Sequence, residues 1–153
     1  IKDLNFYFKK IGPEPFDKKF NFKYLFDKIK NKKKNIKNIL LDQSIVAGLG
    51  NIYANEVLFY SCINPTKNGF QINKNEVKKI VKYSITVLSL AIKFGGSSIR
   101  NFKNTEGVDG SFQKKFKIYG RNGEICYRKN CNGEIIKFFQ TNRSTFMCKI
   151  CQK

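Results

Sequence analysis

The chain has 153 residues, 41% hydrophobic and 14% aromatic, with 30 Lys plus Arg against 11 Asp plus Glu and a formal charge of +19. The apolar content excludes an intrinsically disordered chain, and no apolar run approaches the roughly 18–20 residues of a bilayer-spanning helix. With no His anywhere, Ser-His-Asp triads, Cys-His nucleophile pairs and mixed Cys/His metal sites are excluded, while the positive balance makes polyanions the expected partner class.

The chain opens with a connector, residues 1–17, in which Pro13 and Pro15 of "IGPEPF" force an extended backbone. In the following "FNFKYLFDKIKNKKKNIKNILLDQ", Phe22, Leu25, Phe26 and Ile29 fall at helical spacing, which predicts a helix. The lysines at 28, 30, 32, 33, 34 and 37 read either as a solvated face or as part of a basic surface. Gly48 and Gly50 break the chain before a second helix, "NIYANEVLFYS". A third begins at Asn73, with Glu76 completing a capping box, carries Val77, Ile80, Val81, Ile85, Leu88 and Ala91 on one stripe, and stops at Gly95-Gly96. Residues 97–112 have the polar, Gly-containing composition of a mobile loop. Beyond them the period changes to two, and "KFKIYG", "GEIIKFF" and "RSTFMC" are predicted strands separated by turns at "RNGE" and "QTNR". The fold expected is mainly α with a small β module at the end.

Four of the five cysteines lie in that module: Cys126, Cys131, Cys148 and Cys151, spaced C-x4-C, sixteen residues, C-x2-C. Two thiolate pairs on separate turns can close a tetrahedron around one Zn2+, whose binding would supply folding energy to a segment too small to hold a core. The alternative, two disulfides, belongs to exported chains, and nothing marks this one for export. Cys62 stands apart and reads as a small buried filler. A soluble, cytoplasmic protein is expected, and an opening at Ile1 rather than Met fits a processed or partial chain.

The stretch "IVAGLGNIYANE", residues 45–56, has the form of a phosphate site: a glycine turn feeding a helix N-terminus. A dinucleotide loop would place a third glycine where Tyr53 stands and an acid near Phe70, and a triphosphate loop would need G-K-[ST]. Neither is present; the turn at Gly48 and Gly50 and the helix start at Asn51 offer an environment that a nucleic-acid phosphate fits. Chain-wide richness in Lys, Asn, Ile and Phe, all with AT-rich codons, can account for part of the lysine excess. The four arginines, Arg100, Arg121, Arg128 and Arg143, are harder to explain that way.

"GPEPF", "IKNILLDQSIVAGLGNIYANEVLFYSCINP", "GGSSIRNFKNTEGVDGSFQKKFKIYGRNGEIC" and "RSTFMCKICQK" together resemble the C-terminal half of the bacterial formamidopyrimidine-DNA glycosylases, the 8-oxoguanine repair enzymes. The resemblance implies a helix-two-turn-helix domain over residues 18–112, with the motif itself at 36–61, and a β-hairpin zinc finger over 113–153. It implies that Asn51 and Arg143 pinch the phosphates flanking a damaged nucleotide in double-stranded DNA containing oxidised bases or abasic sites. Tyr119 and Arg121 match family positions near the backbone. Ser98, Arg100, Phe102 and Phe112 fall in the segment that meets the everted base, with text closer to the oxidised-purine enzymes than to the endonuclease VIII group. The bland alternatives are that Asn51 only caps a helix and Arg143 is only an exposed turn cation. A monomeric, nucleoid-associated protein is implied.

Two departures matter. The family's nucleophile is an N-terminal proline followed by Glu, on a β-sandwich domain that these residues do not match, so the chain by itself is expected to be inactive. No lysine sits in a sequence context that argues for a depressed pKa, so no substitute nucleophile is nominated. The first cysteine pair is usually C-x2-C, whereas "CYRKNC" has two more residues, which puts the usual N–H to sulfur contacts of the knuckle in question. Besides half of a glycosylase and AP lyase, the rival readings are a non-catalytic zinc-dependent DNA-binding module and a zinc-bearing RNA-binding protein.

Overall fold

The computed structural model describes residues 11–96 and 112–153. Among these residues, four α-helices, two short 3-10 turns and one hairpin follow in order: α1 (Phe22–Ile29), α2 (Ile36–Leu40), α3 (Asn51–Ser61), Gly69–Gln71, α4 (Lys74–Lys93), Phe112–Lys115, β1 (Ile135–Gln140) and β2 (Arg143–Cys148). The architecture is mostly helical with a terminal two-stranded antiparallel hairpin, as the change of period predicts.

α3 is the centre of the molecule. Its residues Ala54 to Phe59 are all buried, so neighbours pack on every side of it, and the two polar ones, Asn55 and Glu56, meet hydrogen-bond partners there. α4 crosses it with Val77, Ile80, Val87 and Ala91 inward, and α1 and α2 close the core with Leu25, Ile29, Ile36, Ile39 and Leu40. The predicted capping box is present: the Asn73 side chain accepts from the Glu76 N–H at 3.0 Å and the Glu76 carboxylate accepts from the Asn73 N–H at 2.9 Å. Gly95 and Gly96 end the helix at φ 70° and 79°, with the Gly96 N–H returning to Ala91 O.

One expected element differs, and one was not expected. The helix expected on Phe22, Leu25, Phe26 and Ile29 is α1, and a separate short helix, α2, follows it after the lysine run. The polar run Asn31–Lys34 has no apolar residue to continue the buried stripe, and the Asn35 side chain accepts from the Asn38 N–H at 2.9 Å to start a new helix. "KFKIYG" is not a strand. Its N–H groups at 117, 118 and 119 are taken by a side chain, the Glu56 carboxylate, in place of a neighbouring strand.

The hairpin pairs Ile135 with Cys148 at its base and Gln140 with Arg143 at its tip. Thr141 and Asn142 form the turn at φ 48° and 60°, the left-handed pair demanded by a tight hairpin, here made without glycine. A second small core joins Ile118, Ile135, Phe146 and three cysteines to Phe59 of α3. Among the described residues, no helix is long and apolar enough to cross a membrane.

Candidate nucleic-acid interface and metal centre

One backbone carbonyl next to the hairpin tip gathers three side-chain donors. Ser144 O accepts from Lys37 Nζ at 2.9 Å, Asn51 Nδ2 at 3.1 Å and Asn55 Nδ2 at 3.4 Å, donors that come from both helices of the α2–turn–α3 unit. Lys37 also donates to Thr145 Oγ1 at 2.7 Å, and Asn38 Nδ2 to Thr141 Oγ1 at 2.7 Å. One residue further along, the Phe146 N–H donates to Asn55 Oδ1 at 2.8 Å. The exposed Arg143 side chain is therefore carried on a strand whose next three residues are tied to the helices. A cleft lined by Lys34, Asn38, Leu41, Asp42, Thr141 and Arg143 opens between tip and turn.

The α3 N-terminus is open. Its N-cap is Gly50 rather than Asn51; no side chain caps it, and nothing lies within 4 Å of where a Gly50 side chain would start. Gly48, at φ 76°, is exposed, and its N–H donates to Gln43 Oε1 at 2.9 Å. Asn51 is thus the first helical residue, and its amide points at the hairpin, with Oδ1 buried and accepting no hydrogen bond. Tyr119 is half-buried with its ring edge-on to Phe146 at 4.9 Å. Arg121 directs its fork internally, donating to Glu124 through Nε and to Lys117 O through Nη1. Phe112 is buried between Tyr53, Phe94 and Phe116, and its N–H donates to Gly96 O at 3.0 Å. Ser98, Arg100 and Phe102 lie outside the described residues.

The sequence reading overlooked the residues that seat the hairpin. Lys37, counted with the basic run, is fully buried. Burial, followed by the charge of Arg143, lowers its pKa to about 8, so a perturbed lysine exists where none was expected. Its signal was available: Lys37 is flanked by Ile36, Ile39 and Leu40, all buried. Asn55 and Glu56 were legible as two polar residues inside an apolar helix. Glu56, 1% exposed, accepts from the N–H groups of Lys117, Ile118 and Tyr119 at 2.9, 3.0 and 2.9 Å. Burial pushes its carboxyl above the usual range, opposed by those three N–H donors and by Lys117. Gln152 bridges the far end, accepting from the Cys148 N–H and donating to Ile63 O, both at 3.0 Å.

The four cysteines of the module converge. Their sulfurs all lie within 4.8 Å of one another, with Cys126–Cys151 at 3.8 Å and Cys131–Cys148 at 3.6 Å. A disulfide needs about 2.05 Å, whereas a tetrahedron of metal–sulfur bonds of about 2.3 Å has edges of about 3.8 Å. The donor set therefore fits a tetrathiolate metal site. Gly133 makes room for it, since a side chain there would start 2.5 Å from Cys148 Sγ. Burial raises the Cys126 and Cys151 thiols; Cys148, raised by burial, is drawn below its ordinary value by the N–H groups of Cys151 and Ile150. Cys62 stands apart from this cluster, half-buried in the left-handed C-cap of α3.

A two-turn helical motif locked against a four-cysteine hairpin defines the class: helix-two-turn-helix proteins with a cysteine-clustered finger. Residues 11–103 match the formamidopyrimidine-DNA glycosylase H2TH domain, and the chain belongs to the formamidopyrimidine-DNA glycosylase family. It is 41% identical over 150 residues to the formamidopyrimidine-DNA glycosylase of Carboxydothermus hydrogenoformans and 46% identical over 145 residues to that of Prochlorococcus marinus. These alignments cover 98% and 95% of the chain but 56% and 50% of the relatives, so the chain spans about half the length of the curated relatives it matches. Among solved structures, a Lactococcus lactis Fpg variant in complex with Fapy-dG-containing DNA matches with a TM-score of 0.88 at 39% identity, over 99% of this chain and 55% of that one. The Thermus thermophilus MutM (Fpg) protein matches with a TM-score of 0.86 at 32% identity, over 94% and 54%.

Two outcomes follow. Glu56→Gln replaces one of the two acceptor oxygens with a donor facing buried N–H groups. It should cost about 2–4 kcal/mol in urea unfolding and strip hydrogen-exchange protection from amides 117–119 first; retained protection there would contradict the clamp. Because the folded-state pKa of Lys37 lies below its unfolded value of 10.5, the unfolded state binds more protons between about pH 8 and 10.5, and this group makes stability rise with pH across that window. Wild-type stability minus that of Lys37→Met should therefore grow with pH between those values, and parallel curves would contradict the assignment.

Proposed function

We propose that this chain is the DNA-gripping portion of a formamidopyrimidine-DNA glycosylase with AP lyase activity, acting in base excision repair of oxidised purines. The observation that carries the reading is the shared carbonyl, Ser144 O, which locks the start of α3 and the Arg143 strand into one rigid unit. A phosphate approaching the open α3 N-terminus meets the helix dipole and Gly50, and Arg143 supplies a planar, permanently charged fork on a stiff turn. The relatives solved with Fapy-dG-containing or abasic-site DNA support a damaged duplex as the ligand.

The cysteine cluster is read as a structural zinc site, for which four thiolates and a closed tetrahedron are the fitting donor set. Its role is mechanical: it fixes the base of the hairpin while the helices fix the tip. Bending a duplex toward an everted base requires contacts on two phosphates held at a constant separation, which a floppy hairpin could not supply.

The 153 residues alone should bind a duplex carrying an abasic-site analogue more tightly than structured RNA, and should leave 8-oxoguanine in place. Fluorescence anisotropy and a gel-based excision assay read both; a preference for RNA, or clean excision, would overturn the reading. Arg143→Ala should lower the slope of log K against log salt by about 0.9 for each phosphate it no longer neutralises. A slope identical to wild type would remove Arg143 from the interface.

A further inference from the structure

The register of the hairpin leaves one strand edge open. The β2 groups that do not bond β1 turn away from it: Ser144 O accepts from Lys37 and Asn51, the Phe146 N–H donates to Asn55, and the Cys148 N–H donates to Gln152. Their partners across the ladder are Phe139, Lys137 and Ile135, whose own N–H and C=O groups therefore point to the outer edge of β1. Ile135 bonds Glu124 and Gly123 there, but among the described residues no such bond reaches Lys137 or Phe139. Side chains opposite each other across a ladder share a face, so Phe139 lies beside Ser144 and Lys137 beside Phe146. On this face Phe146 meets Tyr119 edge-on at 4.9 Å, and Lys137 Nζ lies 5.9 Å from the Phe146 ring and 5.4 Å from that of Phe139. A strip of rings and one cation thus runs from the small core to the hairpin tip, where Phe139 ends it, 67% exposed.

We propose that Phe139 is a DNA-contacting residue, its ring packed on the sugar and base beside the phosphate that Arg143 holds, with Lys137 on the next phosphate. The inference rests on the damaged-duplex reading of the interface. Continuity favours this occupant: the Ser144 carbonyl opposite Phe139 is the one that Asn51 bonds at the start of α3, and Arg143 pairs with Gln140, the next residue after Phe139. Chemistry favours it too. The cation beside the ring and the chain's +19 charge suit a polyanion, while a ring without donor or acceptor suits the sugar and base surfaces between phosphates. An exposed aromatic on an open edge otherwise invites pairing with another strand, so a second copy of this chain is the competing occupant.

The chain has no tryptophan, so Phe139→Trp places a single reporter at the tip. Saturated with a duplex carrying an abasic-site analogue, its emission should fall about two-fold or more through contact with a base. Ile150→Trp, equally solvent-exposed but beyond the opposite end of the hairpin, should keep its emission. Phe139→Ala should weaken duplex binding about 5–100-fold at an unchanged salt slope, because the lost contact carries no charge. Lys137→Gln should instead lower the slope by about 0.9. Both side chains are exposed, so urea unfolding should match wild type in each variant. Wild-type affinity in Phe139→Ala, unchanged emission from a saturated Phe139→Trp complex, or equal quenching at position 150 would overturn the contact. Self-association that Phe139→Ala abolishes while duplex affinity stays at the wild-type value would overturn it in favour of a second copy. A wild-type chain that fails to bind the duplex would overturn the interface reading, and the contact with it.

Discussion

The structure depends on the insertion of helix side chains into the backbone of a hairpin that could not stand alone. Two strands with a two-residue turn are at best marginally stable in water. Here Asn51, Asn55 and Glu56, on adjoining turns of α3, present hydrogen-bonding groups to Ser144, Phe146 and residues 117–119. These contacts take the place of further strands. The buried Asn55 and Glu56 are each fully engaged by such partners, since an unpaired buried donor or acceptor costs more than a hydrogen bond contributes. The polar edge of α3 therefore specifies where the hairpin sits and at what register.

That arrangement fixes one end of the hairpin; Gln152 ties down the other, where the four cysteines cluster. At the base, Gln152 accepts from the Cys148 N–H and donates to Ile63 O just past α3, beside the four clustered sulfurs for which Gly133 leaves room. At the tip, Lys37, Asn38 and Asn51 hold the strand on which Arg143 rides. A strand held at both ends behaves as a rigid arm, so the position of Arg143 relative to the α3 N-terminus is set by packed elements rather than by a loop. Preorganisation of that kind lets binding energy go into the ligand instead of into ordering the protein.

Charge is used in two ways. Most lysines of this very basic chain are exposed, where they contribute a diffuse, salt-screened attraction for polyanions. Lys37 is different: its ammonium is buried beneath the hairpin, bonded to a carbonyl and a hydroxyl, with Arg143 close enough to lower its pKa. The exposed lysines belong to the solvated field and Lys37 to the hydrogen-bonded frame, and sequence composition treats them alike.

Helix α3, the capping box at Asn73, the glycine stop of α4, the Gln140–Arg143 turn and the cysteine spacing were determined by the sequence itself. Each is a local pattern in which propensity, period and turn chemistry agree. The glycine-asparagine turn and the four cysteines also carried the family. What the tertiary structure alone decided was the set of long-range partners: Lys37 with Ser144, Glu56 with residues 117–119, Arg128 with Phe59. Those pairs are separated by about sixty to more than a hundred positions along the chain, so no local period reports them. The same cause turned "KFKIYG" from an expected strand into a held loop, because a distant carboxylate claimed the N–H groups that a strand would have shared.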